Sequence, residues 1–165
     1  MITTKNISFS YKEFDTPEEL NREDHELLLS ARKAAATAYA PYSGFKVGAA
    51  VRLASGIIVS GSNVENAAFP SGICAERNAL SNASSNHPGD NPVALAVAAI
   101  TESGLTDESV SPCGNCRQVI AEEEIRSGMN IRIILNGKNN IRIIEKGGDL
   151  LPLQFSRDNL RITSR

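Results

Sequence analysis

Tryptophan is absent from this chain of 165 residues, aromatics make up 5% of it, and it has two histidines and three cysteines. So few aromatics leave no evident platform on which the bases of a single nucleic-acid strand could stack. Nor is there a run of lysine or arginine: 17 Lys+Arg face 19 Asp+Glu, for a formal net charge of −2 and a pI near 5.7. That balance gives no cationic footprint for a phosphate backbone, so no nucleic-acid partner is expected. No apolar segment is long enough to span a bilayer, and Met1-Ile2-Thr3-Thr4-Lys5-Asn6 lacks the apolar stretch of a signal peptide. An odd number of cysteines, two of them at C-x-x-C spacing, argues against a disulfide framework and for a reducing compartment. The expectation is a cytoplasmic protein without a membrane partner.

The length fits one domain, and 41% apolar residues suffice for a core. Ile7, Phe9 and Tyr11 alternate with polar residues, which predicts a short strand within an N-terminal extension at 1–20. Residues 23–38 have helical composition, with Leu27, Leu28, Ala31, Ala35 and Ala38 on one broad face. Segments 45–53 and 57–63 flank Ala54-Ser55-Gly56 as a hairpin. A second helix is expected at 75–82, a surface loop at 86–90, and a buried strand at 93–100. A third helix follows Pro112 from 114 to 126, and strands at 131–135 and 141–144 close the series. These elements predict an α/β fold: a three-layer α/β/α single domain with a mixed central sheet, its main body at 21–165.

The chemistry concentrates in two motifs, Cys74-Ala75-Glu76-Arg77 and Pro112-Cys113-Gly114-Asn115-Cys116, which contain every cysteine of the chain. Cys74 and Cys113 each fall at a predicted helix start, where free N–H groups and the positive dipole end favour thiolate over thiol. Cys113 and Cys116, three apart, would face the same side of the first turn. Three thiolates are one ligand short of a closed tetrahedral zinc site, leaving one position for water that zinc acidifies. Glu76, two residues from a ligand, could shuttle that water's proton. Arg77 is the natural cation to offset the formal negative charge of zinc with three thiolates. Other readings stand beside this one: a redox pair formed by Cys113 and Cys116 with Cys74 a buried small hydrophobe, or a structural zinc site recruiting His87 or His25. Glu76 alone could be a favourable acid at a helix N-terminus, and Arg77 a solvated helix residue.

The pair of motifs is a variant of H-x-E…P-C-x-x-C, a signature of zinc deaminases, with Cys74 in place of His. Before it come Tyr42-Ser43-Gly44-Phe45-Lys46-Val47-Gly48-Ala49-Ala50 and Asn63-Val64-Glu65-Asn66-Ala67, and after it Arg117-Gln118 and Leu150-Leu151-Pro152-Leu153-Gln154-Phe155. In that order, from about Leu20 to Phe155, the chain resembles the small homotetrameric cytidine deaminases of pyrimidine salvage, in the cytidine/deoxycytidylate deaminase superfamily. The resemblance implies one Zn2+ per subunit on Cys74, Cys113 and Cys116, and hydrolytic deamination of cytidine and 2′-deoxycytidine as small-molecule nucleosides. Glu76 would take the proton of the attacking water, deliver it to N3 of the pyrimidine and help protonate the departing amine. It also implies that Arg77 hydrogen-bonds the ligand sulfurs, and that Asn63 and Glu65 grip the ribose 3′-OH. Backbone groups of Ala75 and Ser111 would read the base and clamp the leaving amine, with Gln118 supporting the site from behind. Phe155 would stack on the base in a neighbouring subunit's pocket, so that neighbours in a homotetramer complete one another's sites.

Phe45 would pack against the base from one face. From the residues alone, Phe45 reads more simply as a core position of its strand, Asn63 and Glu65 have the alternative of polar members of a strand-ending turn, and Phe155 is equally an anchor for the last segment. Phe69 stands where the similar proteins often have tyrosine, so a hydroxyl available to a neighbouring site is missing. Leu153-Gln154 and the extension before Leu20 also depart from the most compact members. The alternatives for function are a deaminase of another aminopyrimidine nucleoside, such as a blasticidin-like compound, and a zinc-binding module without catalysis.

Overall fold

Asn21 opens helix α1 (Arg22–Ala36): its side chain accepts the N–H of Asp24, satisfying one of the donors a helix start leaves free. The computed structural model describes residues 1–160, and the last five residues of the expected catalytic domain lie outside it. Leu27, Leu28, Ala31 and Ala35 form the buried face of α1. Strands β2 (Lys46–Leu53) and β3 (Ile58–Ser62) make the expected hairpin, helix α2 (Ala75–Asn86) follows, and then the long strand β4 (Pro92–Thr101). A two-residue strand β5 (Gly104–Leu105) folds back on β4. Helix α3 (Gly114–Ser127) then carries the chain across to β6 (Arg132–Asn136), parallel to β4, and β7 (Ile141–Ile144) returns antiparallel.

One mixed sheet results, in the order β1-β7-β6-β4-β2-β3, where β1 is Lys12–Phe14. Strand alternation sorts the core into two layers. Ala50, Ala94, Ala96, Ala98, Ile134, Ile141 and Ile143 face α1, with Leu27, Leu28 and Ala31 packed on them. Val51, Leu53, Leu95, Val97, Ile133, Leu135 and Ile144 face the other way, against Ala79 and Leu80 of α2 and Ile120 of α3. Small residues in the sheet bring α1 in close: a methyl group at Gly48 would collide with the backbone of Ala31 and Ala35. The fold is thus the three-layer α/β/α arrangement with a mixed sheet that the sequence predicts.

The N-terminal strand is displaced from its expected place. Ile7, Phe9 and Tyr11 are exposed and unpaired, whereas β1 pairs Lys12 with Ile143 and Phe14 with Ile141. Alternation supplies a pattern, but a strand needs a partner's backbone. The register puts Tyr11 opposite Ile144, the last residue of β7, and the chain then enters a 3₁₀ turn at Gly147–Leu150, so Ile7 and Phe9 have no strand of β7 beside them. Helix α2 runs four residues past its expected end at Asn82, since nothing in Ala83-Ser84-Ser85-Asn86 stops it before His87 and Pro88.

Candidate metal centre and substrate pocket

Cys74 and Cys113 are the N-cap residues of α2 and α3, and Cys116 lies one turn into α3. The sheet holds both helix starts at one place, so the sulfurs meet: Cys74 Sγ lies 3.8 Å from Cys113 Sγ, and Cys113 Sγ 3.5 Å from Cys116 Sγ. The edge of a tetrahedron built on Zn–S bonds of about 2.3 Å is about 3.8 Å. All three ligand atoms lie within 4.8 Å of one another, and among the described residues this is the one Cys, His, Asp and Glu group able to hold a metal ion. Donor type, number and spacing therefore fit zinc with one position open. His25 and His87 are not in the group, and Cys74 closes on Cys113, which disfavours the closed structural site and the isolated redox pair.

The sulfurs differ in their surroundings. Burial pushes the Cys116 thiol far up, helped by the charge of Glu76 and by the other two cysteines. Cys74 is also raised, by burial first, against the expectation that its helix start would favour thiolate. The reason is local: the Cys74 side chain accepts no backbone N–H, whereas Cys113 Sγ accepts that of Cys116 at 3.5 Å. For Cys113, burial acts upward, but the N–H groups of Cys116 and Asn115 and the adjacent thiols outweigh it and leave the group below its ordinary value.

Glu76 is at the second helical position of α2 and only 5% exposed. Burial raises its carboxyl, partly opposed by its own backbone N–H, by Cys116 and by the charge of Arg77. The Arg77 guanidinium donates to the Gly72 carbonyl at 3.3 Å rather than to a sulfur, and its Nε is buried without a partner among the described residues. Arg77 lies in the first turn of α2, and its hydrogen bond is made to the loop that precedes the helix.

A cavity of about 520 Å3 opens beside the sulfurs, lined by Phe45, Asn63, Glu65, Cys74, Ala75, Glu76, Ser111 and Cys113. Asn63 is stapled to the start of β2: its Oδ1 accepts the Val47 N–H at 2.7 Å and its Nδ2 donates to the Phe45 carbonyl at 3.0 Å. Glu65 holds the Tyr42–Ser43 turn, accepting both backbone N–H groups and the Ser43 hydroxyl. The Ser43 hydroxyl, then the Tyr42 N–H, hold the Glu65 carboxyl below its usual range. Phe69 also lines the cavity and meets the Tyr42 ring edge-on at 6.2 Å.

Two expected site residues lie apart from the cavity. Phe155 is 57% exposed, and the Gln118 amide donates to its carbonyl at 2.8 Å, so Gln118 secures the C-terminal segment instead of the cysteines. Sequence reasoning passed over Arg117, whose Nε donates to the Pro112 carbonyl at 2.8 Å and whose Nη1 donates to that of Leu150 at 3.1 Å. Arg117 thereby fixes the approach to Cys113; its place directly after the last cysteine was the available signal. Glu124, buried on α3, accepts the N–H groups of Ile131, Gly147 and Gly148 and ties the last 3₁₀ turn to that helix. No periodicity announced it.

An α/β/α sheet with a three-cysteine metal centre and a buried carboxylate defines a metal-dependent hydrolase. The family described as "Cytidine and deoxycytidylate deaminase zinc-binding region" matches residues 21–129, and the chain belongs to it. The chain is 39% identical over 143 residues to a cytidine deaminase of Sporosarcina psychrophila, covering 82% of this chain and 93% of that protein. It is 45% identical over 100 residues to one of Halalkalibacterium halodurans, covering 60% and 71% respectively. Among solved structures, cytidine deaminase from Burkholderia pseudomallei superposes with a TM-score of 0.68 at 39% identity, over 79% of this chain and 98% of that one. The enzyme from Mycobacterium tuberculosis gives 0.62 at 34%, over 79% and 95%.

Proposed function

We propose that this chain is a zinc-dependent cytidine deaminase, which hydrolyses the exocyclic amine of cytidine and 2′-deoxycytidine to give uridine or 2′-deoxyuridine and ammonia. The observation that carries the reading is a carboxyl group, buried and raised by burial, set beside three converging sulfurs on the wall of a nucleoside-sized cavity. Held by Cys74, Cys113 and Cys116, zinc would supply a Lewis acid that ionises water near neutral pH. Glu76 is the proton carrier. Its raised carboxyl takes up a proton readily, can pass it to ring N3, and can then assist the departing amine. A carboxylate in water would hold that proton too weakly.

The cavity wall supplies orientation. Asn63 keeps one amide hydrogen and Glu65 its remaining lone pairs for a sugar hydroxyl, after their contacts to the neighbouring turn are counted. Phe45 offers a ring face to the base, and the backbones of Ala75 and Ser111 offer polar groups to its edge. Arg77 and Gln118 act behind the site, through Gly72 and Phe155. Residues 21–165 form the catalytic domain behind an extension at 1–20. The exposed Phe155, Leu153 and Phe69 support a homotetramer in which Phe155 completes a neighbour's site. The place of such an enzyme is cytoplasmic pyrimidine salvage. No helix among the described residues is long and apolar enough to cross a membrane.

The test is loss of cytidine absorbance with release of ammonia, run beside Glu76→Ala. Wild type should turn over, while the variant should keep its zinc and lose activity by about 10²-fold or more. Inactive, zinc-loaded wild type would overturn the reading.

A further inference from the structure

The first twenty residues lie outside the region that matches the family, yet their one strand meets Asn140 and Arg142, which hold the loop leading into the cavity wall. Glu13, the middle residue of β1, stands opposite Arg142 in the register with β7. Its carboxylate accepts from Arg142 Nε at 2.6 Å and from Asn140 Nδ2 at 3.4 Å. Asn140 is buried; its Nδ2 also donates to Glu108 Oε2 at 2.6 Å, and its Oδ1 accepts the backbone N–H of Ser109 at 2.8 Å. Arg142 Nη2 reaches the same Glu108 oxygen at 3.4 Å. Around this network the turn between β6 and β7 is laid against the loop: Lys138 N–H donates to the Thr106 carbonyl and Asn139 N–H to that of Asp107. Gly137 permits the approach, since a methyl group there would fall on the backbone of Ser109 and Glu108. Val110 and Ser111, the next two residues, line the cavity, and Cys113 follows.

We infer that the N-terminal strand is a brace for the substrate loop, with Glu13 its positioning residue. Glu13 fixes the Asn140 amide, Asn140 holds the Ser109 N–H, and Ser109 sets where Val110 and Ser111 stand in the cavity wall. Among the described residues, Asn140 is the side chain that hydrogen-bonds both to β1 and to the loop backbone. With Glu13 gone, Asn140 Nδ2 and the Arg142 guanidinium keep only Glu108 as a carboxylate acceptor, an exposed side chain on the loop they must hold. A short exposed ion pair contributes little to stability by itself. Its effect here is on geometry, and a small misplacement of a base-contacting segment weakens binding.

The inference rests on the deaminase reading, which gives Ser111 its contact with the base, and the experiment separates the two. Glu13→Ala, Glu13→Gln and a chain lacking residues 1–14 are compared with wild type for cytidine kinetics, zinc content and amide hydrogen exchange. Glu13→Ala and the truncation should exchange faster at residues 106–111 and no faster at 75–86. KM should rise about 3- to 10-fold with kcat within about twofold and zinc unchanged. Glu13→Gln keeps an acceptor for both partners and should restore most of KM. Unchanged exchange at 106–111, or a rise shared equally by 75–86, would overturn the brace. So would a KM within twofold of wild type for both altered chains. If wild type deaminates nothing, the deaminase reading falls and the exchange pattern alone decides the brace.

Discussion

Cys116 and Cys74 enter metal binding as protonated thiols, because burial raises both, while Cys113 starts below its ordinary value through its backbone donors. Zinc takes thiolates, so each raised thiol must release its proton when the ion arrives. The sign follows: protons leave on binding, so affinity rises with pH and falls as the solution is acidified. Each proton released changes the apparent zinc dissociation constant by about tenfold per pH unit. Competition with a chromophoric chelator between pH 6 and 8 should give a slope of at least one decade per unit, and a flat profile would contradict the assignment. At this scale the sequence was most legible. The spacing of Cys74, Glu76, Cys113 and Cys116 marked the centre, because ligand type and interval are properties of the chain itself. The partner of Arg77 was not legible: which acceptor a long guanidinium meets depends on where the loop at Gly72 folds back.

Helix α1 sets the depth of one layer, and its closeness is decided in the sheet. Gly48, Ala50, Ala94, Ala96 and Ala98 present a low surface, on which Ala31 and Ala35 come down to the backbone. Gly48→Ala would push its methyl into the main chain of α1, and neither helix nor strand can retreat without disturbing both faces of the sheet. The expected loss is about 1–3 kcal/mol, read as a lowered denaturation midpoint with zinc present in both proteins. Unaltered stability would mean that α1 shifts freely. The positions of α1, β2, β3, β4 and α3 followed from period and from turn chemistry at Ala54-Ser55-Gly56 and at Pro112. Strand β1 did not, because pairing requires a neighbour, and only the position of β7 decided that Lys12–Phe14 would pair and that Ile7 and Phe9, beyond its end, would not. Glu124 was equally illegible, since two of its three backbone partners, Gly147 and Gly148, are remote in sequence and the third, Ile131, lies beyond the end of its helix.

Across the whole molecule, apolar side chains stand exposed on the C-terminal segment: Leu153 is 91% exposed and held at φ 57°, a backbone conformation that a leucine adopts at a cost. Phe155, two residues on, is exposed and does not line its own chain's cavity. If a neighbour's Phe155 stacks on the base, Phe155→Ala should raise KM by about 5- to 100-fold, the range of one lost stacking contact. Zinc should be retained. Mixing that variant with Glu76→Ala tests assembly directly. A mixed oligomer pairs an intact Glu76 with an intact Phe155 in some sites, so part of the activity should return at low cytidine, with none returning if each chain works alone. By itself the sequence determined what acts locally: the elements set by period, the ligand set and the carboxylate beside it, because each depends on neighbours within a few positions. Only the tertiary structure decided that Cys74 meets Cys113, that Glu76 is buried and its carboxyl thereby raised, and that Glu13 meets the Asn140 side chain that holds the Ser109 N–H. Those are meetings of residues far apart in the chain, and the sheet alone brings them together.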